Sequence, residues 1–260
     1  MRRRSSWMLT GLAALLLSAA PVAADPPAAS GGVIVDLAER VPERWLSDFT
    51  DDWPLTPARW RRRMPPRCRT RGGYRDHCQG ERLVPEPHGP EAVYAERLGL
   101  GHRATAMQIM HGRPFEEWIE AVEDMDPQGE LTFPAPTGRM GRGFGRTRRG
   151  SLRHRRHLGV DIGADEGAPV VAARGGLVVY SDNELTGYGN VVIVLHHEGF
   201  STMYAHCRRT LVFAGQHVSR GDRIAEVGMT GFAPAPHLHF EWRQRGWPRD
   251  PAPHFLPRDG

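Results

Sequence analysis

The sequence predicts a mainly β domain, an antiparallel β sandwich or cradle-like barrel, behind a small, partly helical N-terminal region. Three observations carry this. From Leu158 onward the chain falls into short runs rich in Val, Ile and Tyr, each bounded by Gly, Pro, Asn or Asp. No long helical pattern interrupts them. Gly and Pro number 30 and 22 in 260 residues, which favours many turns over a helical bundle.

The expected strands lie, in order, at residues 169–173, 176–180, 190–196, 202–206, 223–227 and 237–242. Together they make a domain over residues 131–260. Residues 1–24 carry the pattern of an export signal. Arg2, Arg3 and Arg4 precede an apolar run from Trp7 to Ala20, and Val22-Ala23-Ala24 puts small residues before Asp25. A signal anchor is the competing reading; Pro21 and the small residues favour cleavage. No later stretch reaches the ~18–20 apolar residues of a membrane span. The expectation is an exported chain, periplasmic or secreted, starting near Asp25, with membrane contact only through the signal segment.

Residues 25–130 form the N-terminal region. Residues 25–88 are rich in Pro, Arg and Trp, and Trp45, Trp53 and Trp60 suggest some packed structure of unassigned fold. Pro90 to about Met125 is expected to be helical. Pro114 suits a first helical position, and Phe115, Trp118, Ile119 and Val122 share one helix face. A helix packed on its neighbour is the plain interpretation; a prodomain covering the site is the sharper one. Three cysteines are present, and export favours a Cys68–Cys78 disulfide, with two free thiols as the alternative, leaving Cys207 over.

The net charge is +4 and every basic residue is Arg. A basic balance favours anionic polymers or membrane surfaces. No nucleic-acid fold signature is present, so no nucleic-acid partner is expected. The Gly/Arg run from Gly138 to Gly150 lacks the strand-then-helix context of a phosphate loop and is expected to be a solvated basic loop.

Three groups of residues stand out among the thirteen histidines. In His157-Leu158-Gly159-Val160-Asp161 an imidazole and a carboxylate four residues apart can reach one metal if the chain turns at Gly159. In His237-Leu238-His239-Phe240-Glu241 strand parity puts both imidazoles on one face and Leu238 and Phe240 on the other. In Tyr204-Ala205-His206 the same parity puts Tyr204 and His206 together and turns Cys207 into the core. A catalytic zinc site needs three protein ligands and one open position, and four imidazoles with one carboxylate leave two histidines for proton transfer. A serine nucleophile is disfavoured by the absence of Gly-x-Ser-x-Gly, and Cys207 lies on the wrong parity relative to His206.

These residues resemble the lysostaphin/LytM-type zinc endopeptidases, peptidase family M twenty-three. The likeness runs from about Phe133 to Pro257. It includes Phe133-Pro134-Ala135-Pro136, Gly143-Phe144-Gly145, Gly167-Ala168-Pro169-Val170-Val171-Ala172-Ala173, Gly175-Gly176-Leu177-Val178, Gly187-Tyr188-Gly189-Asn190, Val218-Ser219-Arg220-Gly221-Asp222 and Asp250-Pro251. The resemblance implies a LytM-like fold holding Zn2+ on His157, Asp161 and His239, with His206 and His237 as catalytic histidines of undivided role and Tyr204 as an assistant. It implies a zinc metalloendopeptidase cutting the peptide cross-links of bacterial peptidoglycan. The alternative is an inactive module that binds the wall and activates another hydrolase. Peptidoglycan is the expected partner, with cell-wall hydrolases or division proteins open as others. Cys207 departs from the family pattern, which has an apolar residue there. The resemblance also leaves open a side chain from residues 25–130 filling the metal's free position.

Overall fold

The computed structural model of the chain describes residues 80–126, 130–145 and 156–257. The signal segment and the Cys68–Cys78 pair lie outside the described residues. Three helices come first: α1 at Gly89–Arg97, α2 at Arg103–His111 and α3 at Glu116–Glu120. Strands follow as β1 Arg139–Met140, β2 Val160–Gly163, β3 Pro169–Val171, β4 Gly176–Asp182, β5 Asn190–His196 and β6 Phe200–Cys207. The rest are β7 Arg209–Thr210, β8 His217–Val218, β9 Arg223–Glu226, β10 His237–Gln244 and β11 Trp247–Arg249. All six expected strands form.

An eight-stranded antiparallel sheet runs β1-β2-β10-β6-β5-β4-β8, with β11 also on β10. A three-stranded antiparallel sheet, β3-β9-β7, is separate. Strand β5 reads Asn-Val-Val-Ile-Val-Leu-His and is buried at every position, as a central strand covered on both faces must be. Val192 and Val194 join Leu238, Phe240, Trp242, Ile224 and Val227 in a core shared with the small sheet's strands. Val191, Ile193 and Leu195 point the other way, into a second core with Ile109, Met110, Trp118 and Val122 of the helical region. Each fully buried Leu, Ile or Val contributes about 1.5–3 kcal/mol, so the helices are a structural layer of this fold.

The helical region differs from the single run expected. Gly99 and Gly101 adopt φ of 64° and 85°, which ends α1 in left-handed backbone. Gly112 caps α2, and Phe115 caps α3, so Pro114 stands one residue before the cap and not inside the helix. Phe115 is exposed, while Trp118 and Val122 are buried as expected. After α3, the Asp126 carboxylate accepts hydrogen bonds from Arg220 at 2.6 and 3.0 Å and from the Gly175 amide at 2.9 Å. The Arg174 guanidinium donates to the Asp126 carbonyl at 2.9 Å. These bonds fasten the end of the helical layer to the β domain. The first part of the Gly/Arg run also differs from a plain loop: Arg139 and Met140 pair with Gly163 and Ile162 as β1. Among the described residues, no helix is long and apolar enough to cross a membrane.

His196 sits wholly buried at the end of β5. Its Nδ1–H donates to the Gly175 carbonyl at 2.8 Å, and its Nε2 lies 2.7 Å from the Thr202 hydroxyl. Burial pushes its pKa from 6.5 down to about 3. The folded state thus holds this imidazole neutral, while the unfolded chain takes a proton below pH ~6.5. Its contribution is complete above that pH and declines as pH falls towards 3, by up to ~1.4 kcal/mol per pH unit. We expect His196→Gln to flatten the fall in urea-unfolding stability between pH 6.5 and 4 by that much, relative to the parent chain. An unchanged slope would show that this histidine is not held neutral.

Candidate metal centre and its histidines

The site grows out of strand register. In the β2–β10 pairing, His239 lies directly opposite Asp161, and in the β10–β6 pairing it lies opposite Ala205. His157 comes three residues before β2, and the chain returns to bring its ring against the same spot. Gly159 makes that path possible by close approach. A Cβ there would stand 2.1 Å from the Phe240 carbonyl oxygen, a contact no side chain tolerates. The chain bends at Gly159 as expected, and this packing role comes in addition.

His157, Asp161 and His239 come together. His157 Nε2 is 3.0 Å from Asp161 Oδ1 and 3.1 Å from His239 Nδ1, and His239 Nδ1 is 2.9 Å from Asp161 Oδ1. One donor atom from each residue thus forms a compact triangle. Ligands at the usual 2.0–2.1 Å from a tetrahedral zinc stand about 3.3–3.4 Å apart. The triangle needs to open by only about 0.3 Å to fit. Two imidazoles and one carboxylate are a donor set that zinc accepts. The far ring nitrogens are already occupied. His157 Nδ1–H donates to the Gly143 carbonyl at 3.0 Å, and His239 Nε2–H donates to Glu241 Oε1 at 3.0 Å. Such partners fix which nitrogen faces the centre.

Burial works against the charges here, and hydrogen bonding overrides it. Burial would raise the Asp161 carboxyl, but its bonds to His157 and His239 hold it well below the usual carboxylate range. Burial would lower His239, but Asp161 and Glu241 raise it to about 9. Burial would raise Glu241, but the Arg243 charge and His239 bring it to about 2.

His206 and His237 flank the triangle, with ring centroids 4.8 Å apart; His206 lies 5.8 Å from the His239 ring. His206 Nδ1 faces the Thr230 carbonyl at 2.9 Å and His237 Nδ1 the Ala235 carbonyl at 2.8 Å. A carbonyl only accepts, so Nδ1 carries the proton in both rings, and the basic nitrogen of each neutral ring is Nε2. His237 Nε2 is 3.8 Å from Asp161 Oδ1. Burial, then the neighbouring His237 and His239, pushes His206 well below 6.5.

Strand parity fails at Tyr204. Between Asn190↔Cys207 and Val192↔Tyr204 strand β6 holds one residue more than β5. The extra residue is absorbed in a bulge where His206 has a φ of 63°. Parity flips there, so Tyr204 and Cys207 both enter the apolar core while His206 faces the side of the His157–Asp161–His239 triangle. The Tyr204 hydroxyl accepts from the Ala173 amide at 2.8 Å and touches Thr202, far from an assisting position. Cys207 is buried in the core, as expected. Two partners went unassigned in the sequence. Glu241 and Tyr188 meet at 3.2 Å, and the Tyr188 ring lies 5.9 Å from that of His239. Position i+2 from His239 was the available signal for Glu241.

Residues 155–251 match the model of Peptidase family M23. A lipoprotein NlpD/LppB homolog of Pseudomonas aeruginosa is 49% identical over 100 residues, covering 38% of this chain and 33% of that one. An uncharacterized metalloprotease of Haemophilus influenzae is 33% identical over 173 residues, covering 65% and 36%. The murein hydrolase activator NlpD of Salmonella dublin is 36% identical over 184 residues, covering 65% and 46%. The chain thus spans about a third to a half of the length of these curated relatives.

We expect Gly159→Ala to cost about 1–3 kcal/mol or more by overpacking against Phe240. Bound zinc per chain, measured by elemental analysis, should fall with it. Full zinc content in the folded variant would remove Gly159 from this account.

Proposed function

The chain carries a LytM-type domain of peptidase family M23, and we propose that it is an active zinc metalloendopeptidase that hydrolyses peptide cross-links of peptidoglycan. The observation that carries this is the convergence of five side chains: the triangle of His157, Asp161 and His239 with His206 and His237 beside it. Zinc on the triangle would polarise the scissile carbonyl and acidify a water molecule. The remaining work belongs to the chain. His206 is neutral and presents Nε2 as a base. His237, its own Nδ1 anchored to the Ala235 carbonyl, stands against the same carboxylate as the ligands. One of the pair accepts the proton of the attacking water, and the other donates to the leaving amine or steadies the developing oxyanion. Proton-transfer groups of this kind are worth ~10²–10⁴ in rate.

An exported location, periplasmic or secreted, suits both the expected signal over residues 1–24 and the substrate. Residues 25–130 would then serve as a supporting region and residues 131–260 as the catalytic domain. The packing of α2 and α3 on the sheet favours support over a detachable prodomain for the described part.

A second reading has its own support. The relative from Salmonella dublin is named a murein hydrolase activator. In this reading the domain docks on another wall hydrolase and its own chemistry is dispensable. Cell-wall hydrolases or division proteins would be its partners.

One set of variants separates ligands from proton-transfer groups and enzyme from activator. His239→Ala should lose zinc by elemental analysis. His206→Ala should keep zinc and lose sacculus digestion by ~10²–10⁴-fold, read as released muropeptides by mass spectrometry. Equal zinc loss in both would mean that the roles are misassigned. No muropeptides from the zinc-loaded parent, with amidase stimulation intact in His206→Ala, would replace the enzyme by the activator.

A further inference from the structure

We propose that Arg243 is a positioning residue for the metal centre, acting through Glu241, and that it joins the helical layer to that centre. The proposal rests on the reading that His157, Asp161 and His239 hold zinc. Glu241 and Arg243 stand two and four residues beyond His239 on β10, on the same strand face, and are 0% and 1% exposed. Arg243 Nε donates to Glu241 Oε2 at 2.6 Å. The other carboxylate oxygen, Oε1, accepts from His239 Nε2 and from the Tyr188 hydroxyl. On its far side, Arg243 Nη1 donates to the Met110 carbonyl and to the Gly246 carbonyl, the latter at 3.0 Å. Met110 lies in the last turn of α2, where carbonyls lack helical partners and a cation is favoured. A continuous buried chain therefore runs from α2 through Arg243 and Glu241 to a metal ligand.

Stability alone gives a poor account of this pair. Two ions removed from water lose hydration that their attraction restores only in part. Replacing a buried ion pair by apolar groups of similar size is often neutral or stabilising. What apolar groups lack is an acceptor for the His239 ring. A carboxylate on the far nitrogen of a ligand histidine fixes its orientation and raises its basicity, and losing it typically weakens metal binding ~10–100-fold. Glu241 can serve as that acceptor at this depth because Arg243 Nε, donating to its Oε2, holds the carboxylate in place.

The test uses the full chain and reads two quantities: zinc affinity by competition with a chromophoric chelator, and the urea midpoint of the metal-free protein. Arg243→Met should weaken zinc ~10–100-fold. The paired change Glu241→Leu with Arg243→Met should keep the midpoint near that of the parent and still weaken zinc by as much. Arg243→Lys, which keeps the charge but not the fork of donors, should fall between. Asp126→Asn loosens the helical layer at its other fastening; it should lower the midpoint and leave zinc affinity within about threefold, since it touches no member of the relay. If Arg243→Met fails to fold, the paired variant and Arg243→Lys decide. Parent-like zinc affinity in the paired variant overturns the proposal. So does a loss of zinc in Asp126→Asn as large as that caused by changing Arg243. A parent chain that takes no zinc overturns the metal reading itself, whereas zinc binding without sacculus digestion removes the peptidase reading and leaves the relay standing.

Discussion

A row of ionisable side chains inside a sheet is the constraint around which this domain is arranged. His237, His239, Glu241 and Arg243 occupy alternate positions of β10, and the last two are entirely shielded from water. Unpaired, such groups would cost several kcal/mol each. Four neighbours of the row answer that demand. Strand β2 brings Asp161, Tyr188 brings a hydroxyl, α2 brings a carbonyl and the β10–β11 turn brings another. The opposite face of the same strand, Leu238, Phe240 and Trp242, supplies the apolar burial that holds the row in place.

The two cores divide the labour. One lies between the large sheet and the strands of the small one, and fixes β10, β2 and β6 relative to one another. The other lies under the helices, on the face that also carries the histidines. The helical layer covers β4 and β5 on that face, and reaches as far as Arg243. It leaves the His206–His237 end to the loops around Thr230 and Ala235. The boundary between packed layer and reactive groups thus falls within a single strand, between Glu241 and His239.

Much of this was legible from residue type and period. The six central strands follow from short Val- and Ile-rich runs between turn residues, and the β10 face follows from alternation. What escaped did so for physical reasons. Strand β2 has four residues and carries half of its pattern as Asp161 and Gly163, so no apolar period marks it. A period-two rule assumes an unbroken ladder, and the bulge at His206 breaks it. That single extra residue sends Tyr204 to the core and His206 to the centre. Gly159 stands at the bend its sequence suggests, yet a further requirement, invisible locally, comes from Phe240 on a strand eighty positions away. Glu241 was visible as a letter, but nothing local shows that its carboxylate would be buried against Arg243.

The same chemistry bears on the choice between enzyme and activator. A docking module needs a surface, and nothing about docking requires three side-chain donor atoms that could hold a metal within 3.1 Å of one another. Nor does it require two further imidazoles whose Nδ1 atoms are tied to carbonyls, with Nε2 as the basic nitrogen. His206 bears a cost in strained backbone as well, since a non-glycine residue with φ near 63° is disfavoured. Strain and buried polarity of this kind are tolerated where a reaction uses them. A chain that had given up hydrolysis would be free to relax the bulge, fill the triangle with apolar side chains and gain stability. Every one of these groups is instead present and close to the others, which supports the proposed hydrolysis even beside relatives named for activation.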